Sequence, residues 1–519
     1  MGVLFSFLLL LGTALALEAL RVLRPRFRLS WLLAIATTAG AWVSVLLWRS
    51  PSSSTVQLGL WRAAGSPMAY ASFALNDLTW PYALSLVSLA LAILLTAPLR
   101  SNFPDPSSWS LCLATLGVGI LATAADGPLT LVLLWAVLDL AEVGFWLFRT
   151  QNPPSSREVG QRIALRLGSM ALLLSALVLS SPGESGSAFE QLQGATAGLL
   201  LPASALLRLA AFAIPWPEKS KTSATDEIEA TLQLTSGLAA TAFLAQVGAG
   251  ADGSGLGILI LCAMAVLYAG WMFLRAPDAT SARPIWILGA GSLAVAASAR
   301  ATPLAAAGWS CAMLLAGSAL FLRTRPERWT NWILLPGLWS VSSLPFSVTS
   351  SAWGGLGRES DWAVPLLLIG QAMLMAGYAH LALRGEGQPS GHTGPAALRA
   401  IHGAGIGWPV ITVLLLGLWG WPGAFQLGTP MAGAVVIALT IALSWRKRRS
   451  AVLNPDFTNW LPPAWRRASQ FIGREIRSVE AGLQNATSAI TRTLEGEAGI
   501  MWGLLFIVLL VSLVARRGQ

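Results

Sequence analysis

Long apolar runs recur along the whole chain and constrain its fold more than any other feature. Sixteen runs of roughly 15 residues or more are separated by short polar loops. An apolar helix of about 20 residues spans a ~30 Å hydrocarbon layer. Because 55% of the residues are hydrophobic and only 11% are charged, whereas a soluble domain carries about 25% charge, the sequence predicts an all-α polytopic membrane protein. A soluble globular protein and a disordered chain are excluded.

The sixteen predicted spans are, in chain order, Val3 to Leu20, Trp31 to Trp48, Pro81 to Pro98, Trp109 to Ala124, Pro128 to Phe148, Arg162 to Leu179, Thr196 to Ala213, Ile228 to Val247, Gly255 to Leu274, Pro284 to Ala299, Pro303 to Leu322, Trp332 to Val348, Trp362 to Leu383, Gly405 to Trp421, Met431 to Trp445 and Ile500 to Val514.

The basic residues indicate membrane topology. The formal net charge is +10, which in a soluble protein would suggest a nucleic-acid partner. Here the charge follows odd-numbered spans, as in the run from Arg446 to Arg449. The positive-inside rule then places the odd loops in the cytoplasm and both termini outside, although Arg516 and Arg517 run against that placement. We therefore expect the lipid bilayer, and no nucleic acid, as a partner.

The segment between the last two spans has a different pattern. An apolar stripe recurs at steps of three and four residues, which predicts an amphipathic helix of about 30 residues, some 45 Å long, too polar to cross a membrane. Docking on its own bundle and contact with partner subunits both remain open. The stripe consists of Trp465, Ala468, Ile472, Ile476, Val479, Leu483, Ala486, Ile490 and Leu494.

These patterns divide the chain into three parts. Residues 1–445 form a transmembrane bundle of fifteen spans, 446–497 a basic cytoplasmic linker with the amphipathic lateral helix, and 498–519 a C-terminal anchor. The three cysteines and three histidines have no ligand spacing, and no nucleotide-binding or nucleophile motif is present. The sequence predicts no metal site, no cofactor and no catalytic residues.

Several local motifs, together with sixteen spans and a lateral helix before the last one, resemble the antiporter-like membrane subunits of respiratory complex I (NADH-quinone oxidoreductase) and of Mrp-type cation/proton antiporters. The motifs are Leu75 to Thr79, Arg166 to Ser169, Arg208 followed by Pro215-Trp216, Ala230 to Leu244, and Leu344-Pro345-Phe346. The resemblance implies a 14-helix core plus two spans, a bacterial plasma membrane, and partner membrane subunits in a larger redox-driven or ion-translocating complex.

The chain departs from that family where protons would move. The resemblance implies a glutamate in span five, a lysine in span seven and further lysine or histidine groups in spans eight and twelve. The matching positions read Ala136, Arg208, Gln233 and Ala239, and no lysine follows Pro345. All three lysines are expected in loops. Arginine stays protonated because its pKa exceeds 12, so it cannot relay a proton.

A small set of charged residues remains near the position of the family's glutamate. Asp139 follows Ala136 by one helical turn and Glu142 follows Asp139 by another, so both lie on one face. A buried ion pair of Asp139 with Arg208 is a reasonable hypothesis, either as a fixed helix-to-helix clamp or as a relay remnant. Arg162 and Arg166 are expected to extend toward the cytoplasmic interface.

Three functions are compatible with these observations. The preferred one is a mainly structural, non-catalytic membrane-arm subunit with a degenerate proton relay. The first alternative is an active proton or cation translocating subunit that uses Asp139, Glu142 and Arg208. The second is a polytopic membrane enzyme that acts on a lipid-linked substrate, for which the outward loops offer only scattered acidic residues.

Overall fold

The computed structural model describes residues 2–24, 29–47, 54–61, 69–99, 106–149, 156–179, 189, 192, 195–213, 226–247, 255–300, 302–323, 328–354, 363–383, 395–420 and 430–453. Fifteen α-helices and one β-hairpin lie in this part of the chain.

The helices are α1 (Gly2–Leu23), α2 (Ser30–Leu47), α3 (Thr79–Thr96), α4 (Pro106–Ala124), α5 (Pro128–Arg149), α6 (Ser156–Leu179), α7 (Ala195–Ala210), α8 (Asp226–Ala242), α9 (Gly255–Arg275), α10 (Ala279–Ala299), α11 (Pro303–Phe321), α12 (Arg328–Ser340), α13 (Val364–Leu383), α14 (Ala396–Leu415) and α15 (Pro430–Leu453). Short 3₁₀ turns extend α3, α7 and α8, and a π-helical turn (Leu416–Gly420) extends α14.

Each of the first fifteen predicted spans overlaps one of these helices, but the twelfth, Trp332 to Val348, was predicted to run beyond the end of α12 at Ser340. Among the described residues, eleven helices are long and apolar enough to cross a membrane, and α7 and α15 contain shorter apolar helices. The polytopic membrane fold is therefore confirmed. The apolar part of α15 ends at Trp445, as predicted, but the helix itself continues to Leu453 and includes Lys447. The predicted lateral helix and the sixteenth span lie outside the described residues.

A two-stranded antiparallel hairpin between α2 and α3 was not predicted. Its strands β1 (Ser54–Trp61) and β2 (Ala69–Leu75) pair in a register that sets Ser54 opposite Leu75. Alternation over so few residues is a weak signal beside long apolar runs. The hairpin lies against the end of α4, because Phe73 pairs with Ala125 and the Asp126 amide donates to the Ser72 carbonyl at 2.9 Å.

Contacts between loops and helix ends show the alternation of a serpentine bundle. On one face, Asp126 after α4 accepts a bond from the Phe189 amide after α6 (2.8 Å). On the other, the Trp31 indole at the start of α2 donates to the Leu94 carbonyl near the end of α3 (2.8 Å). The loop after α4 thus meets the loop after α6, and the start of α2 meets the end of α3, as an up-and-down bundle requires.

The core of the bundle is helix against helix. Helices α3 and α11 are buried over nearly their whole length, whereas the rim helices expose large apolar side chains such as Leu8, Leu140 and Met431, as expected of a surface that faces lipid. Glycines permit close approach: a methyl group added at Gly370 of α13 would overlap the Val266 side chain of α9.

Candidate functional site

Three neighbouring helices bring four charged side chains together inside the bundle. Helix α5 carries Asp139 and Glu142 one turn apart, α6 carries Arg166, and α7 carries Arg208 in its last turn, just before the 3₁₀ turn Ala211–Ala213. We call these four residues the charge cluster. The four charged groups contact one another, and a further buried arginine, Arg162, lies one turn before Arg166 on α6.

Arg208 binds Asp139 through two hydrogen bonds. Its Nη2 donates to Asp139 Oδ1 at 2.7 Å and its Nη1 donates to Asp139 Oδ2 at 3.1 Å. The Arg208 side chain is 0% exposed and that of Asp139 is 18% exposed. This is the two-pronged geometry in which a planar guanidinium holds a carboxylate most firmly. The structure thus places in contact the two residues that the sequence suggested as a pair.

Trp135 fixes the other side of Arg208. The guanidinium carbon lies 4.4 Å from the centre of the indole ring, a cation–π arrangement that strengthens when water is excluded. The Trp135 Nε1 donates to the Ala239 carbonyl of α8 at 3.1 Å, which orients the ring. Arg208 therefore has contacts on its edge and on its face, and it is tied through Trp135 to a fourth helix.

Arg166 joins the two carboxylates. Its Nη1 donates to Asp139 Oδ1 at 2.9 Å, and its Nη2 lies 2.5 Å from Glu142 Oε2. The side chains of Arg166 and Glu142 are 6% and 1% exposed. Two guanidinium groups and two carboxylates thus form a neutral network, which removes most of the cost of burying each charge alone.

The expectation that Arg162 and Arg166 extend to the interface was wrong for Arg166, which is buried and paired with two carboxylates. Arg162 is also buried, at 4% exposure. A basic residue near a span end usually reaches headgroups, which is why sequence reasoning missed this one. The charges themselves were the available signal. Two buried carboxylates on one helix face, Asp139 and Glu142, predict two basic partners.

The cluster can hold helices together, and its proton chemistry is restricted. Both guanidinium groups stay protonated, so only Asp139 and Glu142 could accept a proton. Of the cluster's oxygen atoms, Glu142 Oε1 accepts no hydrogen bond from the described residues. A relay would also need titratable partners farther along the bundle.

The other relay positions implied by the sequence resemblance hold groups that do not titrate. Gln233 of α8 donates through Nε2 to Glu229 Oε1 at 3.0 Å, and Ala239 lies one and a half turns on. Glu229, buried at 5% exposure, is a charged residue that the sequence analysis did not single out. The Leu344-Pro345-Phe346 motif lies in an irregular segment after α12.

Comparison with known proteins supports the fold independently. Over 99% of this chain and 63% of the other, the structure matches a chain of the Mrp complex from Dietzia sp. DQ12-45-1b with a TM-score of 0.67 and 14% identity. It matches a chain of respiratory complex I from Thermus thermophilus with bound NADH with a TM-score of 0.59 and 18% identity, over 85% of this chain and 100% of that one.

This chain therefore spans less than two thirds of the Mrp chain it matches. No protein-family model and no curated protein sequence matches it. At identities this low, the matches establish the architecture alone. The chain has the multi-span helical fold shared by these two chains, which come from the kinds of membrane complex that its sequence motifs resemble.

Proposed function

We propose that this chain is a membrane subunit of an Mrp-like or complex I-like assembly, in which the charge cluster acts as a static clamp rather than as a proton relay. The chain would be non-catalytic and would hold neighbouring membrane subunits in a bacterial plasma membrane, with both termini outside. The predicted lateral helix, from Trp465 to Leu494, would contact those neighbours from the cytoplasmic side.

One observation carries the clamp: fully buried Arg208 holds Asp139 through two hydrogen bonds while Trp135 packs on its face. A relay group must gain and lose charge during transport. A guanidinium fixed by a carboxylate and an aromatic ring keeps its charge and its position. Breaking such a buried pair by removing one partner costs about 3–5 kcal/mol, so a cyclic opening of this contact would be costly.

The surroundings of the cluster support the same function. Arg166 adds a second cation to the two carboxylates and ties α6 to α5. At the implied span-eight relay positions, Gln233 and Ala239 cannot change charge. A proton on Asp139 or Glu142 would therefore lack a titratable acceptor at either of these positions.

Ion translocation is the second candidate function. The partial exposure of Asp139, at 18%, favours it, as does the oxygen of Glu142 that accepts no hydrogen bond from the described residues. A carboxylate with access to water can load a proton even when its neighbours are arginines. In this case the two carboxylates of the cluster would form a proton-loading site.

Substituting Arg208 by alanine distinguishes the two functions when assembly and ion flux are measured separately. The clamp predicts that less complex assembles and that each complex that does assemble has a normal ion flux. Normal assembly with lost flux would instead establish translocation. The matched control is Arg21→Ala, because Arg21 pairs with Glu18 at 3.3 Å on the exposed surface, where its side chain is 56% exposed, and such pairs contribute little.

Proteins that co-purify in mild detergent test the assignment to a complex. The proposal predicts other membrane subunits together with redox or antiporter components. Recovery of the chain as a clean monomer from gently solubilised membranes would contradict it.

A further inference from the structure

The segment from Val341 to Gly354 lies inside the bundle, directly after α12, where the sequence predicted that the twelfth span would continue as a helix to Val348. Helix α12 ends at Ser340, and the chain continues in turns rather than as a helix. Ser343 and Phe346 adopt positive φ angles of 58° and 63°, which side-chain-bearing residues rarely do. Yet most of the segment is buried, including Val348 and Trp353. Irregular backbone at membrane depth is tolerated only where it lines a water-filled cavity or is enclosed by protein.

Hydroxyl groups of the segment satisfy part of its own backbone. Thr349 Oγ1 accepts a hydrogen bond from the Ser343 amide at 3.0 Å and donates to the Ser340 carbonyl at 2.8 Å. Ser347 Oγ donates to the Leu344 carbonyl at 2.6 Å. Backbone polar groups that a helix would pair are therefore paired here by side chains, as local serine and threonine bonding allows.

Gln371 of α13 fastens the segment to the bundle. Its Nε2 donates to the Val341 carbonyl at 2.8 Å and to Ser343 Oγ at 3.0 Å, and its Oε1 accepts from Trp353 Nε1 at 3.1 Å. The residue is 1% exposed. One amide side chain thus binds both the beginning and the end of the irregular segment.

Glycines of three neighbouring helical elements close over its carbonyl groups. A methyl group added at Gly308 of α11 would lie 2.5 Å from the Val348 oxygen, and one added at Gly433 of α15 would lie 2.9 Å from the Ser343 oxygen. Gly417, in the π-helical turn, faces the Phe346 oxygen still more closely. Contacts between a glycine Cα–H and a carbonyl recur at tight helix interfaces, so the backbone dipoles face packed protein.

We propose that this segment is an ion-tight seal in the twelfth span and that Gln371 is the residue that holds the seal closed. The segment has hydroxyl groups and unwound backbone, the groups from which an ion path is built. In this protein the hydroxyl and carbonyl groups of the segment are hydrogen-bonded to Gln371 or to one another, or pack against glycines of neighbouring helices. A second role follows for α13, which keeps the irregular segment after α12 impermeable to ions.

The inference does not depend on the clamp, since the seal and the charge cluster lie on different helices. If Arg208 proved to be essential for flux, we would still expect Gln371 to keep the segment after α12 closed to ions. If the seal failed its test, the clamp on α5, α6 and α7 would be unaffected.

Proton leak across proteoliposomes tests the seal. The full chain is reconstituted around the pH dye pyranine, a potassium diffusion potential is imposed with valinomycin, and internal acidification is followed. Gln371→Ala removes all three amide contacts and should raise the leak several-fold above wild type. Gln246→Ala is the matched control: Gln246 is also buried, but it donates a single bond, to the Thr123 carbonyl at 3.3 Å, and its leak should equal that of wild type.

Hydrogen exchange of the wild-type protein covers the case in which Gln371→Ala does not fold. In the wild-type protein, amides of residues 341–354 should exchange as slowly as those of α11. In a folded Gln371→Ala variant, the same amides should exchange roughly tenfold or more faster than in wild type. Wild-type exchange at the rate of open loops would overturn the proposal, as would a folded Gln371→Ala variant that leaks no more than wild type.

Discussion

Replacing Asp139 or Arg208 alone should destabilise the bundle by more than the net stability that their ion pair contributes. Each single change leaves the remaining charge buried without that partner. Asp139→Asn leaves Arg208, whose side chain is 0% exposed, facing an amide. Arg208→Gln leaves Asp139 with its second cation, Arg166, at 2.9 Å. We therefore expect the asparagine variant to be the more damaging.

The magnitudes follow from the contacts. Leaving one buried partner unpaired costs about 3–5 kcal/mol, so about 4 kcal/mol is expected for Asp139→Asn and about 3 kcal/mol for Arg208→Gln, in which Asp139 remains paired and is partly exposed. The double variant restores neutrality, since Arg166 and Glu142 still balance. The double variant should lose about 3 kcal/mol of stability, whereas the losses of the two single variants add up to about 7 kcal/mol. The difference, about 4 kcal/mol, is the coupling between the two residues, and it is within the range for close charge pairs.

The assay is a double-mutant cycle on the purified chain, with the free energy of unfolding measured by reversible denaturation in mixed micelles. The exposed pair of Glu18 and Arg21, at 3.3 Å, supplies the control cycle, for which the coupling should stay below about 1 kcal/mol. A coupling below about 1 kcal/mol between Asp139 and Arg208 would refute the clamp, because the contact would then hold nothing.

Three further predictions concern the surroundings of the cluster and the packing of the bundle. Trp135→Phe keeps a ring near Arg208 but loses the indole bond to Ala239, and should lower the free energy of unfolding by about 1–2 kcal/mol in the same micelle assay. Gly370→Ala should destabilise by about 1–3 kcal/mol because its methyl group meets α9, whereas Gly407→Ala, with nothing within 4 Å, should be neutral or slightly stabilising. All three cysteines are free and buried, so a membrane-permeant maleimide should label them only after denaturation, and rapid labelling of the native protein would contradict the packing described.

The helical part of this fold is largely readable from sequence because hydrocarbon imposes a single solution on long apolar runs. Each of the first fifteen runs overlaps a helix of the structure. The run that predicted a continuous twelfth span, Trp332 to Val348, is the instructive exception. Its helix ends at Ser340, since Gln371 and the local hydroxyl groups supply bonds that a helix would otherwise supply.

The polar contacts were harder to predict for a physical reason. Arg166 sits where arginines commonly reach the interface, and only the tertiary fold shows that Asp139 and Glu142 lie beside it. Gln371 is a neutral amide in an apolar run, and one of its partners, the Val341 carbonyl, lies 30 positions away in sequence. A backbone acceptor carries no residue-type signal, so periodicity and composition do not reveal such a bond.

Proton flux per assembled complex in the Asp139→Asn, Arg208→Gln double variant separates a static clamp from a transport site. The variant removes a carboxylate that could carry a proton, while Arg166 and Glu142 keep the cluster neutral. A static clamp predicts less assembled complex but unchanged proton flux in each complex that forms. Normal assembly with abolished flux would show that Asp139 and Arg208 take part in transport, contrary to the function proposed for them.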